Sequence, residues 1–265
     1  INMLSGITED KKVATRLATY LEGLFDKLDG EIVGKEYTDA LANEDYSAAL
    51  KACAAYFRNK PDFAKETGFS AKGNFDTWSA LNCVEGTFTV VDVKWTFPNG
   101  DVDFLFNPTS INGPLNKEWV WQFNRHQYWN NLARTYVGTN NEKYAEAFGS
   151  QMRNWLTQSA VAIKDTWRTI ECGLRLGGTW LVAFDGFKKS PSIDDLTLVL
   201  MVAAMHAQST YLTKNYSSGN WLMMESTGVF TFSLLFNELV DSQKNREIAS
   251  NRLLEEMEKQ ILPDG

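Results

Sequence analysis

The strongest constraint on this chain is the recurrence of paired amphipathic segments through its second half. Helical periodicity runs over residues 118–136, 142–159, 165–187, 192–212, 219–240 and 242–261. The pairs begin near residues 118, 165 and 219, a period of about 50 residues, as in other helix-pair repeats. One member of each pair is aromatic and carries unusual polar residues. The other is plainer, as with Tyr144, Phe148, Met152 and Trp155. The alternation predicts a double-layered ring or solenoid of inner and outer helices.

The boundaries have local causes. Thr139-Asn140-Asn141-Glu142 is expected to end one helix and cap the next. Ser192 is the expected cap of the fourth, with Asp194 and Asp195 in its first turn. Near the N-terminus, Val13, Leu17, Tyr20, Leu21, Leu24 and Leu28 form a helical stripe over 8–28, with Thr8 as cap and Gly30 as stop. A shorter helix is expected over 46–57, halted before Pro61.

Residues 62–117 break the pattern. Glycines and prolines punctuate short β-branched and aromatic runs over 87–91 and 93–97, and Pro98-Asn99-Gly100-Asp101 is a turn signal. The segment reads as a long ordered insertion with a small hairpin.

Composition excludes some functions. The net charge is −7 and no Lys/Arg-rich tract appears, which argues against nucleic acid as a partner. The longest apolar stretch, 196–207, carries His206 and is too short for a membrane helix, so no membrane partner is expected. Cys53, Cys83 and Cys172 lack metal-ligand spacing, and His126 and His206 are the only histidines. Ile1-Asn2-Met3-Leu4 runs quickly into charges and reads as no signal peptide, so the chain is cytoplasmic or trimmed of one. The end at Pro263-Asp264-Gly265, just after a helix, reads as part of a longer protein.

Three constellations carry chemistry. In the first, Gln122-Phe123-Asn124-Arg125-His126 lies among Trp119, Trp121, Tyr128 and Trp129. On one helix, Gln122, His126 and Trp129 share a face, and Trp121, Arg125 and Tyr128 share another. Rings stack on sugar faces while amides and guanidinium groups take hydroxyls and carboxylates; the same residues also suit a satisfied core. In the second, Arg168, Glu171 and Arg175 share one helical face, as an ion-pair ladder or as arginines aimed at an acidic sugar. In the third, Ser218-Gly219-Asn220-Trp221 through Glu225 sets an amide where a loop turns into a helix. Asn220 there is a capping residue or a carboxylate holder. His206 reads as a core or wall histidine.

Together these segments resemble the N-terminal toroid of the heparinase II/III superfamily, closest to heparinase III-type heparan sulfate lyases. The resemblance rests on Glu118-Trp119 through Trp129, Thr139-Asn140-Asn141-Glu142-Lys143-Tyr144-Ala145, Trp167-Arg168-Thr169-Ile170-Glu171, and Gly219-Asn220 with Glu225. It covers roughly 110–265, and the first 110 residues more loosely. It implies an all-α fold: an incomplete (α/α) toroid over 1–265, with the irregular insertion at 62–117 and a C-terminal β-sandwich domain beyond. It implies a periplasmic or secreted lyase acting on an acidic polysaccharide by β-elimination, with no cofactor. Asn220 would be catalytic, neutralising a uronate carboxylate in a cavity walled by inner helices. Gln122, Asn124, Arg125, His126, Trp129, Arg168, Glu171, Arg175, Trp221 and Glu225 would line the groove.

Two departures matter. Many relatives carry His after this Asn; here Trp221 cannot act as a base. The catalytic Tyr is expected beyond Gly265 and a catalytic His in the sandwich domain, so these 265 residues should hold half a site and be inactive alone. Other uronate polymers such as alginate or hyaluronan, an inverting glycoside hydrolase using Glu171 and Glu225, and a non-catalytic sugar-binding module are the alternatives.

Overall fold

In the computed structural model, residues 2–161 and 163–261 are described; Pro263, Asp264 and Gly265 lie outside them. The first helices are α1 (Lys11–Phe25), α2 (Gly30–Val33), α3 (Lys35–Ala42) and α4 (Tyr46–Asn59). The insertion holds α5 (Thr77–Val84), strands β1 (Thr87–Val90) and β2 (Val93–Thr96), and α6 (Thr109–Asn112). Then come α7 (Glu118–Phe123), α8 (Tyr128–Thr139), α9 (Lys143–Val161), α10 (Ile163–Thr166), α11 (Thr169–Leu174) and α12 (Trp180–Phe187). The last are α13 (Asp195–Lys214), α14 (Gly219–Leu235) and α15 (Ser242–Gln260). The architecture is the expected all-α toroid with a small β insertion.

The centre of the structure is α13. Val199 through Ala204 are buried in succession, so the helix has no wet face there. It packs against α1, α4, α9 and α14. Among the described residues it is the one helix apolar and long enough, by composition, to cross a membrane, although the 196–207 run looked too short. Of its most apolar window, 72% is buried inside the protein, so neighbouring helices take the place of lipid.

Several expected boundaries move, each for a local reason. The cap of α1 is Asp10, not Thr8: its carboxylate accepts from the amides of Lys12 and Val13. Gly30 opens α2 rather than ending a longer helix. The cap of α13 is Asp194, whose Oδ1 accepts from Thr197 N at 2.8 Å, while Ser192 Oγ donates to Glu142. The helix expected over 118–136 is two helices with a turn between them, where His126 takes φ 58°. The helix expected over 165–187 breaks before Thr169 and carries a π-helical turn over Arg175–Thr179.

The hairpin forms where expected, Phe88 opposite Trp95, through a two-residue turn at Val91 and Asp92 with positive φ at both. The insertion is ordered because it feeds rings into the core. Phe88, Phe97 and Phe104 stack or edge onto Phe123 at 4.9, 5.9 and 5.3 Å. A buried ion pair, Lys60 with Glu238 at 2.9 Å, ties its start to the α14–α15 turn.

The pairing of α11 with α14 depends on two glycines. A Cβ on Gly228 would lie 2.4 Å from Gly173 O, and one on Gly173 would lie 2.7 Å from Glu225 Cα. The two backbones touch, which carries the polar end of α11 to the start of α14. Gly228→Ala should therefore destabilise the fold by about 1–3 kcal/mol. Gly178→Ala, where nothing lies within 4 Å, should be neutral or slightly stabilising. Urea unfolding midpoints of the two variants check the contrast.

Candidate active site

The site grows from one carboxylate. Glu171, in the first turn of α11, is fully buried. Its Oε1 accepts from Arg125 Nη2 at 3.1 Å and Nε at 3.3 Å. Arg168 Nε lies 3.3 Å from its Oε2, close enough to pair but not aligned as a hydrogen bond. A buried carboxylate needs such partners.

Aromatic rings flank Arg168. Its guanidinium carbon lies 3.7 Å from the Trp121 ring centre and 5.0 Å from that of Trp221. Such stacking favours a cation whose edge stays free for planar anions. Trp221 is 41% exposed, so this end of the cluster reaches solvent.

Asn220 is the second residue of α14 and is exposed rather than enclosed. The N-cap position belongs to Ser218, whose side chain makes no capping bond, and Gly219 has φ 62°. The Asn220 amide makes no hydrogen bond among the described residues, so it is not spent on capping. First-turn N–H groups and the helix dipole favour an anion beside it. The preceding loop is fixed to α11: Thr169 Oγ1 and Ser217 Oγ are 3.2 Å apart, and Glu225 Oε2 accepts from Ser217 N at 2.8 Å.

Arg125, Arg168, Glu171 and Trp221 are thus brought together, with Trp121 of α7 stacked on Arg168; Asn220 precedes Trp221 in α14, and Glu225 is tied to the start of α11 through Ser217. Gln122 is half-buried and donates to Glu118 at 3.1 Å. Four other expected groove residues, Asn124, His126, Trp129 and Arg175, lie wholly inside the core. The break between α7 and α8 turns Asn124, His126 and Trp129 inward, and Arg175 is drawn in from the π-helical turn after α11. Asn124 bonds Phe104 O, Val120 O and the Trp155 indole. Arg175 donates to Gln208 at 2.7 Å and to Asn124 O at 2.9 Å, and lies against Trp155. Trp129 donates to Gln151 and stacks on His126 at 4.1 Å. These four hold the turn that presents Arg125.

His126 accepts from the Trp180 indole through Nδ1 at 2.9 Å. Burial, and then the charge of Arg175, push its pKa well below the usual imidazole value. Its ring therefore stays neutral. His206 instead pairs with Asp241 at 3.1 Å. The role of Trp121 was half visible in the sequence: its spacing put it with Arg125, but its contact with Arg168 spans the α7–α11 interface.

A model of the heparinase II/III N-terminus matches residues 24–265. The chain belongs to the heparinase II/III family. A heparin-sulfate lyase of Pedobacter heparinus is 27% identical over 254 residues, 91% of this chain and 38% of that protein. One from Bacteroides stercoris is 23% identical over 271 residues, 91% of this chain and 40% of that protein. The crystal structure of heparan sulfate lyase HepC from Pedobacter heparinus matches with TM-score 0.76 at 25% identity, covering 91% of this chain and 39% of that one. A heparinase III crystal structure at 17% identity and TM-score 0.75 shares the fold. This heparinase II/III chain thus spans about two fifths of the length of these relatives.

The buried neutral imidazole makes a pH prediction. Below about pH 6 the unfolded chain protonates His126 and the folded chain does not. The unfolded state then binds more protons, so stability falls as pH falls. His126→Asn keeps an acceptor for Trp180 and suits a positive φ. Its stability should fall less steeply by up to about 1.4 kcal/mol per pH unit over this range, measured by urea unfolding between pH 5 and 8.

Proposed function

We propose that this chain carries the carboxylate-holding half of a polysaccharide lyase site acting on a uronate-containing glycosaminoglycan of the heparan sulfate type. The observation that carries the reading is the uncommitted amide of Asn220 at the head of α14, next in the chain to Trp221, which flanks Arg168. The names of the relatives, heparin-sulfate lyases, support the substrate class.

The chemistry follows from one obstacle. The proton on C5 of a uronate is too weakly acidic while the neighbouring carboxylate is fully charged. Hydrogen bonds that neutralise the carboxylate let it accept the electron pair, so an enolate-like state forms and the C4–O bond breaks by β-elimination. Asn220 donates to that carboxylate, helped by the first-turn N–H groups of α14. Arg168 holds an acidic group of the chain, Trp221 offers a ring face to a pyranose, and Glu171 positions Arg125 and Arg168.

The base comes from elsewhere. Trp221 holds the position next to Asn220, His126 is buried and engaged at Nδ1, and His206 is bonded to Asp241. The reading assigns a Tyr and a His to chain beyond Gly265, in the remaining toroid and a β-sandwich domain, and a periplasmic or secreted setting where such polymers are met. No cofactor takes part in it.

A hydrolase is the weaker reading. An inverting pair needs two accessible carboxylates about 6.5–9.5 Å apart. Glu171 and Glu225 are both buried, one between two arginines and one on the Ser217 amide.

In the full-length protein, Asn220→Ala should lower kcat by about 10²–10³, as loss of one oxyanion-type donor does. Glu171→Gln and Glu225→Gln should weaken turnover without abolishing it. Product absorbance from the new C4–C5 double bond reads the reaction. New reducing ends without that absorbance, abolished by either Glu variant, would overturn the lyase reading. Residues 1–265 alone should show no turnover.

A further inference from the structure

A cavity of about 290 Å³ opens between α5 and the hairpin. It is near the lower end of ligand pockets, which run roughly 300–1,000 Å³. Trp78, Asn82, Thr89, Lys94 and Tyr128 are among its lining residues. None of the residues lining it is acidic, and Lys94 is the sole charged one.

Three independent features point to a ligand. Trp78 is 70% exposed, and among the described residues this is the highest value for an exposed large hydrophobic side chain, with no ring contact to another aromatic. Its backbone is nonetheless fixed. Asp76 caps α5 through Trp78 N at 3.0 Å and is clamped to α8 by two 2.7 Å bonds with Asn131. An exposed ring on a fixed backbone is a ready stacking surface for the apolar face of a sugar. The Tyr128 hydroxyl is buried and has no partner among the described residues. Burial raises its pKa well above the usual phenol value, so it keeps its proton to donate. Lys94 lies opposite Thr89 in the hairpin register and takes part in none of the ion pairs among the described residues. Tyr128 begins α8 two residues after His126, at the far side of the turn that presents Arg125.

We propose that this cavity is a second saccharide subsite, holding one acidic sugar unit with Trp78 under its apolar face and Lys94 on its anionic substituent. The inference rests on the reading that the ligand is an acidic polysaccharide, and extends it to a place that reading does not use. The subsite supplies binding and no chemical step.

Calorimetric titration of the full chain with a heparan sulfate hexasaccharide tests it, using the unmodified chain, Trp78→Ala, Lys94→Met and Arg168→Ala. Trp78→Ala should weaken binding about tenfold, a typical worth for a stacked ring. Lys94→Met should weaken it roughly two- to fivefold, and less at high salt. Both side chains reach solvent, so the melting temperature should not move. If the unmodified chain binds and Arg168→Ala weakens it while the Trp78 and Lys94 variants bind normally, the subsite is absent and the first site stands. If no acidic oligosaccharide binds the unmodified chain, the polysaccharide reading falls and the subsite with it.

Discussion

Glu171 is the group on which the rest of this site depends. A carboxylate with no exposed surface cannot stay charged without partners, and its partners come from two other places in the chain. Arg125 arrives from the turn after α7, and Arg168 from the residue before α11. The ion pairs therefore fix the spacing between two helical layers and set both cations at one edge. Trp121 and Trp221 complete the arrangement by covering Arg168 from two sides. The Gly173–Gly228 contact does the same for the backbone, since it allows α14 to begin beside α11. Cations, ring and amide are held by packing made elsewhere in the fold.

The local field differs from the global one. A net charge of −7 would keep an acidic polymer away if it were spread evenly. At the α11–α14 edge two arginines offset two glutamates, and two helix N-termini converge there. The cavity beside the hairpin repeats the pattern with a single lysine and no acid. Both places combine a cation with an exposed tryptophan, the pairing that suits a charged sugar with one apolar face.

Much of the architecture was legible in the sequence, because helix pairs with alternating character leave few ways to bury their stripes. The hairpin was legible too, since runs at 87–91 and 93–97 leave room only for a tight turn. What periodicity could not show was where helices break. The residues 118–136 keep helical spacing throughout, yet His126 adopts φ 58°. That conformation is stabilised by distant groups: Trp180 on its ring, Thr179 on Arg125 O and Arg175 on Asn124 O. Such long-range bonds leave no local signature. The same break explains why Asn124, His126 and Trp129 turned from groove residues into core. The meeting of Arg168 and Glu171 was readable, because a cap residue and the third residue of the helix it opens lie on one side of the first turn. The placing of Asn220 was readable from the Gly219 loop, whereas its exposure depended on the length of α14 and the packing of its neighbours.

The most direct measurement is a crystal structure of the chain with a uronate-ended oligosaccharide. The account predicts the uronate carboxylate within hydrogen-bond distance of Asn220 Nδ2, with the sugar face against Trp221 and Arg168 still paired to Glu171. A bound sugar whose carboxylate lies away from α14, with the Asn220 amide unengaged, would contradict it.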